Sequence, residues 1–340
     1  MTDGILSMDW LTLYVNCENY ENKCGAKIER QKFSTRHYKY IDNIYFENIL
    51  TFVLAFEPHS SALKPHSGLL KISNETLYHN ALWRILRDIP TWLNINVISI
   101  SRLDLCYDFQ KFKFGLMPET LIAKFIKGAF FKIGQAKYKL EGEQGASIPH
   151  SYLRFGSNSS PLSVYLYNKT LEFQQVKRKL YIEKVWEQCN FDESLPVWRL
   201  EVSIKGNSLK FIKLHTGEIA ALTVDNISDK TFRNDLYFSI VNKNFEFREN
   251  DGQVRKDRMK RIQLFDNQFD EFYITRIVEK ADTDRADKVF IKKMELLHKE
   301  LRNNNEQFWS DLDNVKQTFI EAAGLVDWHR QKRLQWAVNQ

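Results

Sequence analysis

Cysteine is scarce: Cys17, Cys24, Cys106 and Cys189 are the only four in 340 residues, with no C-x-x-C pair. That excludes a disulfide framework and a zinc knuckle, and it fits a reduced, intracellular chain. Glycine (13) and proline (7) are also sparse, which excludes collagenous, linker-rich and disordered architectures. No run of about 18 apolar residues occurs, so no transmembrane helix and no membrane partner are expected. The opening MTDGILSMDW has neither a basic start nor a long apolar stretch, so no secretory signal is expected and the protein reads as cytoplasmic. No repeat with a period of about 20–50 residues is visible, which excludes a solenoid or propeller.

Aromatic residues are abundant instead: 24 Phe, 14 Tyr and 8 Trp make 14% of the chain. With 43% hydrophobic and 27% charged residues, there is ample material for a core. The length corresponds to two domains at roughly 150 residues each. The net charge of +6 hints at a polyanionic partner, and its distribution says more. Between Gln110 and Leu140 stand Lys111, Lys113, Lys124, Lys127, Lys132, Lys137 and Lys139 against one acid, Glu119. The last hundred residues, by contrast, hold 19 basic and 18 acidic groups. The lysine segment reads either as a solvated face or as a DNA-binding track with Phe112, Phe114, Phe125, Phe130, Phe131 and Tyr138 interleaved.

Period-two patterns rich in β-branched and aromatic residues predict strands over 9–16, 38–46, 50–56, 96–109, 130–139, 150–156, 162–168 and 197–205. Helical patterns lie over 75–87, 118–128 and 171–188. Past residue 206 the apolar spacing turns to threes and fours, notably over 289–302, 305–323 and 326–338. The expected fold is therefore α+β: a mainly antiparallel sheet with helices packed on one face over residues 1–206, and a C-terminal helical subdomain over 207–340.

Two of these strands carry charge where a core strand should not. Over 99–109 (SISRLDLCYDF), Leu103, Leu105 and Tyr107 share one face, and Arg102, Asp104, Cys106 and Asp108 share the other. Over 197–205 (VWRLEVSIK), Trp198, Leu200, Val202 and Ile204 oppose Arg199, Glu201 and Ser203. A carboxylate away from water must be paired or bound to a cation. The pattern therefore fits either intra-strand ion pairs on a solvated sheet face or, if the strands are neighbours, a hard oxygen cluster of Asp104, Asp108 and Glu201 suited to Mg²⁺ or Mn²⁺. Between them, Gly156–Pro161 reads as the turn of a β-hairpin whose second strand puts Ser163, Tyr165, Tyr167 and Lys169 on one face. A tyrosine beside a lysine suits phosphodiester chemistry: the phenol attacks phosphorus and the ammonium neutralises the phosphate.

In their order along the chain, Asp9-Trp-Leu, ISRLDLCYDF, FGSNSS, YNKTLE and VWRLEVSIKG resemble the Rep_trans replication initiation family, over roughly residues 9–206. That family comprises plasmid rolling-circle initiators and related relaxases. The resemblance implies a divergent HUH endonuclease core that nicks and rejoins single-stranded origin DNA through a covalent 5′-phosphotyrosine. Tyr167 of the Tyr-x-Lys motif is the implied nucleophile, with Lys169 beside it and Tyr165 as the other candidate. Asp104, Glu201 and Asp108 are the implied metal ligands for Mg²⁺ or Mn²⁺, with Arg102, Arg199 and Glu172 supporting. The chain has no His-x-His, as expected for an acidic variant, and its eight scattered histidines are assigned to no metal. DNA, a host helicase and a second copy in a homodimer are the expected partners. Relaxase action at a transfer origin and a non-catalytic DNA-binding role on the same fold are the competing readings.

Overall fold

The structure is a computed structural model and describes residues 4–61, 63–134, 137–142, 150–157, 160–175, 178–205, 211–213, 219–253, 255–266 and 273–274. The chain divides into two compact units, Met1–Ile277 and Val278–Gln340. The first unit therefore runs past residue 206. The three helices expected beyond residue 288 lie outside the described residues.

An antiparallel sheet of ten strands dominates the first unit. Its strands are β1 (Gly4–Asn16), β2 (Lys27–Arg30), β3 (Tyr38–Phe46), β4 (Ile49–Pro58), β5 (Ser67–Ile72), β6 (Asn96–Phe109), β8 (Tyr138–Glu141), β9 (Tyr152–Phe155), β10 (Leu162–Asn168) and β11 (Trp198–Lys205), while β7 (Phe130–Lys132) lies outside it. Their spatial order is β2-β3-β4-β5-β1-β6-β11-β10-β9-β8. The acidic strands β6 and β11 are thus direct neighbours, with β1 on one side and β10 on the other. The helices are α1 (Asn74–Leu77), α2 (Leu82–Leu93), α3 (Pro118–Ile126), α4 (Lys169–Gln175), α5 (Leu180–Trp186), α6 (Val224–Ser228) and α7 (Lys230–Asn244). Smaller pieces complete the unit: β12 (Phe211–Lys213) pairs with β13 (Ile219–Ala221) and β15 (Tyr273–Ile274), and β14 (Phe247–Glu249) pairs with β7.

The fold is α+β, as the alternating patterns imply. Period-two alternation sorts the sheet's faces. Leu103, Leu105, Leu200, Val202, Val164 and Leu166 form an apolar face and are all buried. On that face α7 packs Tyr237 and Phe238 against Tyr107, with ring centroids 6.1 and 5.5 Å apart, and the Tyr237 hydroxyl donates to the Leu200 carbonyl at 2.7 Å. Helix α2 adjoins α7, where the Arg233 guanidinium lies 4.6 Å from the Trp83 ring. The other face is polar, and the short helices α1 and α5 cover part of it through Tyr78 and Trp186.

Three expected elements differ. The stretch 130–139 is two strands in different sheets, because Gly134 at φ +84° interrupts the extended backbone. The helix expected over 75–87 is α1 followed by α2, and α2 runs through Pro90 to Leu93 before a left-handed Asn94 ends it. The helix expected over 171–188 is likewise two, α4 and α5, and α4 starts at Lys169.

Candidate active site

Directly opposed residues of an antiparallel ladder share a face, so the register reads out the polar face row by row. Asp108, Arg199 and Tyr167 form one row across β6, β11 and β10. Cys106, Glu201 and Tyr165 form the next, and Asp104, Ser203 and Ser163 the third. Tyr167, Asp104 and Glu201 therefore lie on the same face of the sheet. The Tyr167 hydroxyl donates to Glu201 Oε2 at 3.0 Å. Tyr165 faces the same way, with its ring 6.4 Å from that of Tyr152.

The end of β10 is fixed locally. Asn168 Oδ1 accepts from the Leu171 N–H at 2.8 Å and caps α4, while the Lys169 N–H donates to the Val197 carbonyl at 2.9 Å. The Lys169 side chain is only 1% exposed. Its ammonium donates to Glu172 Oε2 at 2.6 Å and lies 5.4 Å from the Tyr167 ring and 5.3 Å from that of Phe173. Glu172 thus serves as the partner of Lys169. The serine-rich turn has a structural part: Gly156 sits at φ +96°, and a Cβ there would come within 2.9 Å of Ser163 Oγ.

The acids are held differently from one another. Asp104 pairs with Arg102 on its own strand and accepts from Ser203 Oγ at 2.6 Å. This is the intra-strand pair foreseen from sequence. Arg199 does not pair with Glu201, two residues away. Its Nε and Nη2 donate to Asp108 at 2.6 and 2.7 Å, its Nη1 to Asp9 Oδ1 at 2.8 Å, and its Nη2 also to the Tyr78 hydroxyl at 3.1 Å. Asp108 Oδ2 further accepts from the Trp186 indole at 2.8 Å. Both Asp108 oxygens and both Asp104 oxygens are therefore committed to protein donors. Among the described residues, no group of three or more His, Cys, Asp or Glu is arranged to hold a metal ion. The expected ligand set Asp104, Asp108 and Glu201 is not brought together as such.

Asp9, to which the sequence assigned no role, lies close enough for its charge to act on Glu201. It is the extra residue of a β-bulge, between the pairs Met8↔Leu105 and Trp10↔Asp104. Asn74 Nδ2 and the Tyr78 hydroxyl reach its Oδ1 at 3.1 and 3.2 Å, and Asn74 is itself set by the Tyr181 hydroxyl at 2.7 Å. Burial opposes the charge on Asp9, but Arg199 and Lys169 outweigh it and hold the carboxyl well below its ordinary range. Glu201 behaves oppositely: burial, reinforced by the carboxylates of Asp9 and Asp104, pushes it up to about 7. Asp104 is raised by burial against the hydrogen bonds from Arg102 and Ser203. Burial and then the Glu201 charge hold the Tyr167 phenol well above its usual value.

This donor set fits a small hard cation. Mg²⁺ takes oxygen ligands and is commonly held by one or two carboxylates plus substrate phosphates. Asp9 Oδ2 and Glu201 Oε1 accept no hydrogen bond from the described residues, and like-charge crowding around Glu201 is what a cation relieves.

The lysines of 111–139 are spread over several elements. Lys111, Lys124, Lys127, Lys137 and Lys139 are exposed. Lys113 pairs with Asp266 and Lys139 with Glu141. Lys132 turns inward to the Ile133 carbonyl, 5.0 Å from the Phe155 ring, and burial lowers it to about 8. Of the interleaved rings, Phe112 and Phe130 are core, whereas Phe114 is 88% exposed.

No protein-family model matches the chain, and no curated protein matches it. Among solved structures it is similar to the rolling circle replication initiator protein from Geobacillus stearothermophilus, at 14% identity and a TM-score of 0.46 over 76% of this chain and 92% of that one. Among the described residues, no helix is long and apolar enough to cross a membrane.

Proposed function

We propose that this protein starts rolling-circle replication by nicking and rejoining single-stranded origin DNA, with Tyr167 as nucleophile and a divalent metal at Asp9 and Glu201. The observation that carries the reading is the 3.0 Å hydrogen bond from the Tyr167 phenol to Glu201, on a sheet face shared with two further carboxylates. Without metal Glu201 titrates near 7, and its Oε2, the oxygen not offered to the cation, already accepts the phenol's hydrogen bond. Glu201 Oε2 accepts the phenol proton as the Tyr167 oxygen attacks phosphorus. The bond from phosphorus to the 3′ oxygen breaks, and that oxygen takes a proton from water and leaves as the priming 3′-hydroxyl. Rejoining runs the same steps backwards. When bound, Mg²⁺ or Mn²⁺ supplies Lewis-acid stabilisation of the scissile phosphate.

The remaining residues position these groups. Arg199 clamps Asp9 and Asp108, so two strands and the β1 bulge are tied into one block. Asp104, engaged by Arg102 and Ser203, acts through its charge on Glu201. Lys169 lies under the Tyr167 ring and offsets the charge that develops on the phenolate. Tyr165 lies one row further along the strand and forms no hydrogen bond to Glu201, so it is the lesser candidate.

The test incubates the purified protein, with Mg²⁺ or Mn²⁺, with DNA of the replicon that encodes it and looks for protein covalently attached to nicked DNA. Wild type and Tyr165→Phe form the adduct, and Tyr167→Phe lowers it at least about 1,000-fold, as loss of a covalent nucleophile requires. An adduct that persists in Tyr167→Phe overturns the assignment.

A further inference from the structure

One row of the polar face lies beyond the carboxylates and carries three cations and no acid. Lys71 on β5 is opposite Thr12 on β1, Thr12 is opposite Arg102 on β6, and Arg102 is opposite Lys205 on β11. Three cations thus stand abreast on four consecutive strands, across about 14 Å at the usual strand spacing. Trp10, one step along β1, braces two of them: Lys71 Nζ lies 3.6 Å and the Arg102 guanidinium 3.9 Å from its ring centroid. Its own indole N–H is fixed by Thr12 Oγ1 at 2.8 Å.

Like charges set side by side on a sheet repel, and one acid, Asp104, is bound to Arg102, while Asp104 and Glu201 act on Lys205 only through their charge. Among the described residues, neither Lys71 nor Lys205 forms an ion pair. Both are partly buried, and burial followed by the neighbouring Arg102 charge lowers their pKa values. A fourth cation, Lys179 at the start of α5, lies near enough to act on both Lys71 and Asp9. An arrangement that costs energy in the empty protein is one that an anion stabilises.

We propose that Lys71, Arg102 and Lys205, braced by Trp10, seat backbone phosphates of a single DNA strand on its way to Tyr167. A single strand is the occupant that matches the charge pattern: the row is one cation deep and lies flat on a sheet floor. From Lys205 the same face continues along β11 for six residues, roughly 20 Å, to the row of Arg199 and Tyr167. A lone phosphate would need one cation pair; a row this wide serves a chain of phosphates. The track differs from the lysines of 111–139, and it rests on the nicking reading only for its direction toward Tyr167.

The test measures anisotropy of a fluorescein-labelled oligothymidylate strand with the full-length protein, without metal, across a salt series. Changing Lys71→Gln and Lys205→Gln together weakens single-strand binding about tenfold or more at low salt. It also lowers the slope of log affinity against log salt by about 1.4, because each phosphate contact on a single strand contributes about 0.7. Lys71→Arg with Lys205→Arg keeps wild-type affinity and slope, which separates charge from folding. Unchanged affinity and slope in the double Gln variant overturn the proposal, as does an equal loss of binding to duplex of the same length. Lysine-dependent binding by a wild-type protein that forms no covalent adduct overturns the nicking reading and leaves the track standing. An adduct without lysine-dependent binding does the reverse.

Discussion

Arg199 has no exposed surface, and its guanidinium is shared between Asp108, Asp9 and the Tyr78 hydroxyl. A charge this deep is tolerable only because every neighbour is an acceptor of opposite or partial negative charge. Glu201, next along the same face, has no such cation against its carboxylate, and its proton affinity rises accordingly. The sign of the consequence follows from linkage. The folded protein holds this proton up to about pH 7, whereas an unfolded glutamate releases it near 4.3. Glu201 therefore costs no stability below about pH 4, and the folded state loses stability as pH rises through 7. Glu201→Gln removes that loss. In metal-free buffer the variant melts about 5 °C above wild type at pH 8, and the gap shrinks below pH 7 to close near pH 4, as scanning calorimetry checks. Mg²⁺ raises the wild-type midpoint more at pH 8 than at pH 6 and leaves Glu201→Gln unmoved; a midpoint indifferent to Mg²⁺ in both proteins counts against a cation at Asp9 and Glu201. The Arg-x-acid strands were legible in sequence, because charge on alternate residues of an apolar strand has few explanations. Asp9 was not legible as a member of this face, since a bulge breaks the alternation by which a face is read.

At the scale of elements, the strands that carry the site were the easiest to read, and their bounds at 96–109 and 162–168 match the sheet. Both alternate cleanly over seven residues or more, so a one-residue error would have turned every side chain to the wrong face. The helices were harder. A proline in its last turn hid the end of α2, and the start of α4 at Lys169 left no room for a separate cap, because the cap is the last strand residue, Asn168. That junction has a testable job. The Asn168 side chain turns the chain from strand to helix within one residue, and the turn sets both the Tyr167 ring and the Lys169 ammonium. Asn168→Ala removes the cap at a cost of about 1 kcal/mol, readable by urea unfolding. The rate of adduct formation falls about tenfold or more, while affinity for single-stranded DNA stays as it was, since the cationic row lies on other strands. Asn168→Asp, which keeps the cap, restores the rate. A rate that is unchanged in Asn168→Ala would show that the junction does not position the nucleophile.

For the whole molecule, the boundary expected at residue 206 followed a change of periodicity, but periodicity reports local structure and not which sheet a helix covers. The compact unit continues to Ile277, and α7 explains why. Its apparent amphipathicity is weak because Tyr237, Phe238, Ile240 and Val241 are buried together with Asp235 and Ser239, so nearly a whole turn on every side is enclosed. Such a helix belongs inside a core, under the strands that carry the site on their far face. The magnitudes decide what happens without it. Burying Leu236, Tyr237, Phe238, Ile240 and Val241 contributes roughly 1.5–3 kcal/mol each, on the order of 10 kcal/mol before entropy. That is comparable with the total stability of a typical domain, about 5–15 kcal/mol. A chain ending at residue 206 would also bare Tyr107, Leu200 and Phe109 to water on the apolar face. The expected outcome is that residues 1–206 are expressed as aggregate or lack a cooperative thermal transition by circular dichroism. Residues 1–277 melt cooperatively and bind oligothymidylate with the affinity of the full chain, because the cationic row and the site both lie within that unit. A cooperative, soluble 1–206 fragment would instead mean that α7 is an accessory to the sheet and that the nicking core is the smaller body the sequence suggested.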